Sequence, residues 1–369
     1  MRIVFKKVRT AKKWEKMRFA FLCRQRPGAS HHKVAIIGAG PAGLSAAGFL
    51  ACRGYEVDVY EKLPIPGGMM TFAIPKYRIP LDSITEGVEE LRDKFSVKFT
   101  LSTKVACGER RDEGDELATN SLDMLKLAEG YDAVLVATGT WRSRRLGIPG
   151  DDAKNVMSAL EFLLDLHLEE LGLRAGHLGS FRRVVVVGGG LSAIDAAEES
   201  LMKGAQEVYL VYRRTIKEAP AGEYEVRRLM RLGVNWIELA APKSVIAENG
   251  IARGVVFQRM KLGEPDETGR PRPVPVPGSE FEVAADVVIA AIGEIPTPPV
   301  ASECGGIGKY VGKDGRMTVD KTYRVPGTNV FAAGDVVTGP SKIGQAVRLG
   351  LLAAKEMDRF LSVKTLVAR

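Results

Sequence analysis

The stretch Lys33-Val-Ala-Ile-Ile-Gly-Ala-Gly-Pro-Ala-Gly43 decides the fold. An apolar, β-forming run enters three glycines spaced G-x-G-x-x-G. An Ala-rich segment follows to about Arg53, then a second apolar run, Glu56-Val-Asp-Val-Tyr-Glu61. Strand, Gly-rich turn, helix and strand in that order make a βαβ unit. Gly38 permits the tight turn, Gly40 lets a pyrophosphate approach the backbone, and Gly43 allows close helix–strand packing. Pro41 and Ala42 open the helix, where the exposed amides face the phosphates. Glu61 ends the second strand, where a carboxylate accepts the hydroxyls of an adenosine ribose and disfavours a 2′-phosphate.

The pattern recurs about 150 residues later, a spacing that points to a repeated unit. Arg183-Val-Val-Val-Val-Gly-Gly-Gly-Leu-Ser-Ala193 leads into a helix to about Lys203 and a strand from Glu207 to Arg213. Gly188 and Gly190 keep the turn, and Leu191 and Ser192 enter the helix. The acid of the first copy is replaced by Arg213 and Arg214. Guanidinium forks suit a phosphate dianion, so the second unit is expected to take NADPH. The plain alternative is that both arginines simply face solvent.

Two further segments complete the first site. Tyr131-Asp-Ala-Val-Leu-Val-Ala-Thr-Gly139 is a strand ending at Thr138 and Gly139. Thr328-Asn-Val-Phe-Ala-Ala-Gly-Asp335 is another, ending at Gly334 and Asp335, with a helix from about Ile343 to Phe360 behind it. Asp335 is placed for a ribityl hydroxyl, and the positive helix N-terminus for the pyrimidine edge of a flavin, which makes FAD the first cofactor. The expected fold class is α/β: two Rossmann-like dinucleotide-binding domains, with the NADPH domain inserted in the FAD domain. The boundaries read as a basic N-terminal arm over 1–32, the FAD domain over 33–145, the NADPH domain over 146–295 and the rest of the FAD domain over 296–369. The Pro-rich run Glu264 to Gly278 reads as a hairpin loop.

Composition excludes several classes. Hydrophobic residues at 45% and charged residues at 27% are globular proportions, not those of a disordered chain. The net charge of +8 suggests a polyanion partner until it is located: residues 1–32 hold ten Lys and Arg against Glu15, leaving 43 basic and 44 acidic residues elsewhere. The body therefore has no general attraction for nucleic acid or anionic lipid. No run approaches the ~18 apolar residues of a membrane span, and a cytoplasmic location is expected. Cys23, Cys52, Cys107 and Cys304 are scattered with no C-x-x-C, so neither a native dithiol, an iron–sulfur cluster nor another metal site is expected.

Taken together, these motifs resemble the two-dinucleotide-binding-domain flavoproteins of the pyridine nucleotide-disulfide oxidoreductase superfamily, and among them the small (beta) subunit of NADPH-dependent glutamate synthase. The discriminating stretch is Gly67-Gly-Met-Met-Thr-Phe-Ala-Ile-Pro-Lys-Tyr-Arg-Ile-Pro80, with Gly68 in its cofactor-facing turn and Ala73 where the signature has glycine. Tyr212 to Ala221 and Gly263 to Pro273 match as well. The resemblance implies an FAD-dependent oxidoreductase that takes hydride from NADPH and passes electrons to a partner, either a large synthase-like subunit or an iron–sulfur subunit. Relatives carry an N-terminal cysteine-rich cluster domain that the arm of this chain does not reproduce. Met69, Met70 and Thr71 stand where disulfide reductases have their flavin-side dithiol, and read as walls near the flavin. Lys76 and Arg78 read either as flavin contacts or as surface charges. No catalytic acid or base is assigned. The alternative reading is a stand-alone NAD(P)H oxidase or reductase acting on oxygen, quinone, polysulfide or ferredoxin without a cysteine pair; a third is a flavoprotein that binds nucleotides without turnover. A homo-oligomer is compatible with all three.

Overall fold

In the computed structural model the described residues are 16–108, 111–176, 179–266, 269–301 and 304–367. The chain first builds β1 (Lys33–Ile37), α1 (Pro41–Ala51), β2 (Glu56–Tyr60), α2 (Leu81–Phe95), β3 (Lys98–Thr100), β4 (Thr103–Ala106) and β5 (Ala133–Val136). It continues through β6 (Val156–Ser158), α3 (Ala159–Glu170), β7 (Arg183–Val187), α4 (Leu191–Met202), β8 (Glu207–Val211), α5 (Glu223–Leu232) and β9 (Asn235–Ile237). A meander of β10 (Ala240–Glu248), β11 (Ile251–Pro265) and β12 (Pro271–Ala284) precedes β13 (Val287–Ala290), and the chain returns with β14 (Val330–Ala332) and α6 (Ile343–Val367).

Two parallel five-stranded sheets result, ordered β14-β5-β1-β2-β3 and β9-β8-β7-β13-β6. Each has a strand entering a Gly-rich turn at its centre. The near-continuous apolar runs of those strands follow from burial on both faces. In β1, Val34 to Ile36 are fully buried, as are Val184 to Val186 in β7. The stretches joining the two sheets, Arg142–Ser143 and Glu294–Ile295, pair antiparallel as a short ribbon.

The Pro-rich run is more ordered than a loop. β11 extends to Pro265 and β12 begins at Pro271, so most of the run is strand. Pro271, Pro273, Pro275 and Pro277 are accommodated because β12 is the edge of its three-stranded sheet, where a missing N–H costs no ladder bond.

The described part of the arm lies on the first layer. Phe19 and Ala20 are buried, the Met17 N–H donates to the Ser83 carbonyl at 3.1 Å, and Lys16 pairs with Glu90 at 3.0 Å. Glycines make the room: a Cβ on Gly48 of α1 would lie 2.1 Å from the Phe19 carbonyl oxygen, and one on Gly87 of α2 2.3 Å from that of Met17. Within the described part of the arm, Phe19 and Ala20 are the buried residues while Phe21 and Leu22 are exposed, and what is expected of residues 1–15 lies outside the described residues.

The cysteines correct an expectation. Their spacing gives no sign of a dithiol, yet Cys23 is bonded to Cys52 and Cys107 to Cys304. These pairs are 29 and 197 residues apart and meet only through the tertiary fold, which spacing rules do not see. One bridge fixes the arm to the end of α1; the other fixes the end of β4 to the segment returning from the second sheet. Among the described residues no group of ligands suited to a metal ion occurs, and no helix is long and apolar enough to cross a membrane.

Candidate functional site

The two Gly-rich turns are built alike, bond for bond. The Gly38 N–H donates to the Tyr60 carbonyl at 2.8 Å and the Gly188 N–H to that of Val211 at 2.9 Å. The Ala137 N–H donates to Ile37 and the Ala291 N–H to Val187, both at 2.8 Å. Gly38 has φ +104° and Gly188 φ +153°, and a Cβ on either would run into the carbonyl of the neighbouring strand's end, Ala137 or Ala291. At Gly40 and Gly190, the N-caps of α1 and α4, a Cβ would meet nothing within 4 Å. Bare backbone therefore faces open space at two helix N-termini, the geometry that receives a pyrophosphate. Gly43 has the third role: a Cβ there would lie 1.9 Å from the Gly38 carbonyl oxygen.

Around the first turn the other expected residues converge on one cavity of about 580 Å³. Gly38, Gly40, Pro41 and Ala42 form one wall, and Gly68, held with φ +56° against the Gly40 backbone, extends it. Glu61 is 5% exposed; its carboxylate accepts from the N–H groups of Ala39 at 2.6 Å and Leu63 at 3.0 Å, while burial pushes its pKa up. Thr138 and Gly139 line the cavity, and the Thr138 Oγ1 is buried with no hydrogen-bond partner. An orphaned hydroxyl, two open glycine cradles and an oriented carboxylate fit a bound dinucleotide. Gly334, with φ +78°, turns Asp335 into the same space, where its carboxylate accepts from the Ser341 hydroxyl at 2.6 Å and burial raises its pKa. Ile343 and Gly344, opening α6, line the cavity beside it.

The second unit reaches this cavity with Leu191 and Ser192, the first residues of α4. Glu294 joins them and accepts from the Ser192 hydroxyl at 3.1 Å, its pKa raised by burial. Arg213 and Arg214 lie apart at the end of β8, and the structure divides them. Arg213 is exposed, whereas Arg214 is 2% exposed and bonded to Asp266 and to the Pro271 carbonyl.

Arg78 resolves the two readings offered by the sequence: it is a cavity residue. It donates to Asp195 of α4 at 2.7 Å and to Glu225 of α5 at 3.1 Å, while the Tyr77 hydroxyl donates to Glu198 at 2.6 Å. The Gly67–Pro80 stretch therefore clasps the second unit. Lys76 pairs with Glu170 of α3 at 3.0 Å. Met69 and Met70 line the cavity as expected of apolar walls. Asp195 escapes sequence reasoning, although its place one helical turn after Gly190 is a usable signal.

Burial pushes the Asp195 carboxyl up to about 6, against the pull of Arg78. A raised native pKa means that the native state binds more protons than the unfolded chain between about pH 4 and 6, so this group's contribution to stability falls as pH rises through that window. The melting temperature of wild type relative to Asp195→Asn is expected to decline from pH 4 to 6. A flat difference would show that the group titrates normally.

A family model described as pyridine nucleotide-disulphide oxidoreductase matches residues 32–350. The chain belongs to the pyridine nucleotide-disulphide oxidoreductase family. Within that family it is 42% identical over 337 residues to the NADP(+)-dependent formate dehydrogenase subunit beta of Moorella thermoacetica, covering 90% of this chain and 44% of that one. It is 36% identical to the NADPH-Fe(3+) oxidoreductase subunit beta of Geobacter sulfurreducens, covering 96% and 53%. With the glutamate synthase [NADPH] small chain of Escherichia coli it shares 32% identity, covering 90% and 69%. The chain thus spans about half the length of the first two relatives. FprA from Mycobacterium tuberculosis in complex with NADPH superposes with a TM-score of 0.72 at 20% identity, covering 91% of this chain and 86% of that one, which shows the shared fold. The glutamate synthase small-chain resemblance read from the sequence holds.

Proposed function

We propose that the chain is the NADPH-oxidising, FAD-holding subunit of a larger cytoplasmic enzyme, and that it hands electrons to a protein partner bearing one-electron centres. The observation that carries this reading is one cavity lined from both units: Leu191 and Ser192, which open the helix after the second Gly-rich turn, meet Gly38, Gly40, Thr138 and Asp335 of the first unit there, while Gly188 and Gly190 stand outside its lining. Relatives named as beta subunits or small chains support a partner. The sheet layout supports the boundaries 33–145, 146–295 and 296–369, with the second sheet wholly inside the interruption of the first.

Bound FAD supplies the acceptor for the two electrons of the hydride. The residues that would hold it are Gly38, Gly40, Pro41, Ala42, Gly43, Glu61, Gly68, Thr138, Gly139, Gly334 and Asp335. Those for NADPH are Gly188, Gly190, Leu191, Ser192 and Arg213. The α6 N-terminus brings a partial positive charge to the cavity, suited to negative charge accumulating there, whereas the charge of Arg78 is met by Asp195 and Glu225. Trp141, buried on the cavity wall, helps exclude water.

The test is an anaerobic titration of the FAD-loaded protein purified with whatever co-purifies from the soluble cytoplasmic fraction. Bleaching of the flavin band by NADPH at concentrations about ten-fold or more below those needed for NADH is expected, a ratio of the size that one well-placed phosphate contact gives. Co-purification of an iron–sulfur protein is expected too. Rapid turnover of the isolated chain with oxygen or quinone would favour the stand-alone reading, and a flavin reduced by neither nucleotide would end both.

A further inference from the structure

The buried half of the arginine pair carries an inference that rests on the NADPH reading above. The Arg214 Nε donates to the Pro271 carbonyl and its Nη2 to the Asp266 carboxylate, each at 2.7 Å. Both partners come from the tip of the β11–β12 hairpin, 57 and 52 residues away in sequence. Asp266 also shuts that tip. Its N–H donates to the Arg270 carbonyl at 2.8 Å, its carbonyl accepts from the Gly269 N–H at 2.8 Å, and its second carboxylate oxygen accepts from the Arg270 N–H at 3.3 Å. One carboxylate oxygen closes the turn while the other holds Arg214. The Arg214 backbone is fixed as well, its carbonyl accepting from the Leu239 N–H at 3.1 Å.

Arg213 precedes Arg214 in the bend that follows β8 and is exposed where Arg214 is buried. It makes no hydrogen bond or ion pair among the described residues. Of the two guanidiniums at the position where the second unit would meet a 2′-phosphate, one is therefore paired with a carboxylate and the other is not.

We propose that Asp266 sets the cofactor selectivity of this site. By pairing with Arg214 and pinning the hairpin tip over it, Asp266 removes that guanidinium from phosphate recognition and leaves Arg213 to make the contact. Its negative charge, close to the phosphate position, also weakens the attraction for the dianion. Asp266 is a positioning and charge-setting residue that tunes discrimination between NADPH and NADH without contacting either nicotinamide ring.

The experiment uses the full-length FAD-loaded protein and the variant Asp266→Asn, which keeps an oxygen for the Arg270 N–H and removes only the charge. Adenosine 2′,5′-bisphosphate and adenosine 5′-monophosphate are titrated by calorimetry. The ratio of their affinities is expected to rise about 3- to 10-fold in the variant at low salt, and the rise to shrink as salt is added, because it comes from an unscreened charge. The ratio of kcat/KM for NADPH over NADH is expected to rise in parallel, through KM. Asp266→Ser, which retains a turn-closing acceptor, is expected to give the same sign and guards against misfolding of one variant. An unchanged or lowered ratio in both variants overturns the proposal. A wild-type protein that does not distinguish the two adenosine phosphates at all would instead overturn the NADPH reading, and the role of Asp266 with it.

Discussion

Replacing Gly38 by alanine is expected to leave a protein that retains no FAD and is less stable by about 2 to 4 kcal/mol, the sum of a strained positive φ and an unrelieved clash. The new Cβ would sit 2.5 Å from the Ala137 carbonyl oxygen and 2.8 Å from its carbon, with φ at +104°. Both neighbours are backbone atoms of Ala137, held just past the end of β5 by its N–H bond to Ile37, so no side-chain rotation relieves them. Gly40 provides the internal control. A Cβ there meets nothing, so Gly40→Ala is expected to melt within about 1 kcal/mol of wild type, in line with a helix-terminal alanine. Yet its methyl projects into the space a pyrophosphate would take, and it too is expected to purify without flavin. Melting curves and the ratio of flavin to protein absorbance separate the two outcomes: loss of fold and cofactor together at Gly38, loss of cofactor alone at Gly40. A Gly38→Ala protein that stayed yellow with wild-type melting would show that the turn is not what the cradle depends on.

The second large effect concerns Arg213. Its replacement by alanine is expected to lower the kcat/KM ratio of NADPH over NADH by about 10- to 100-fold, the loss of one charge-assisted contact worth about 1.5 to 3 kcal/mol. Arg214→Ala is expected to behave differently. It leaves Asp266 without its cation under the hairpin tip and the Pro271 carbonyl without its donor, so the first consequence is a lower melting temperature. Stopped-flow flavin reduction with both nucleotides, alongside melting, distinguishes the two arginines. Equal loss of NADPH preference with unchanged melting in both variants would mean that the pair acts as one reader of the phosphate.

Much of this was legible in the chain because dinucleotide cradles are local. Strand, glycine spacing, helix start and terminal residue all fall within about 30 residues, and backbone sterics fixes their meaning. The resemblance of the two units is more complete than the sequence reading recognised. Ala137-Thr138-Gly139 and Ala291-Ile292-Gly293 occupy the same place beside their Gly-rich turns, a match the motif spacing does not mark. What escaped is long-range. The Arg78–Asp195 and Tyr77–Glu198 contacts span 117 and 121 residues, and nothing in either stretch marks one as the other's partner. The pairing of the arginine doublet failed to show for a related reason. Two adjacent arginines look equivalent in a sequence, and only the hairpin folding back from 52 residues downstream makes one a strut and leaves the other in water.

The Cys107–Cys304 bond alters what the polypeptide is as a connected object. Every residue of the second sheet, from Val156 to Ala290, lies between its two ends. The inserted unit therefore belongs to a covalent ring and is anchored at its foot by more than the short ribbon at residues 142–143 and 294–295. A single backbone nick anywhere in that ring leaves one molecule of unchanged mass apart from the added water, and only a nick followed by reduction releases two pieces. Electrophoresis without reductant would accordingly report an intact chain where the main chain is already broken.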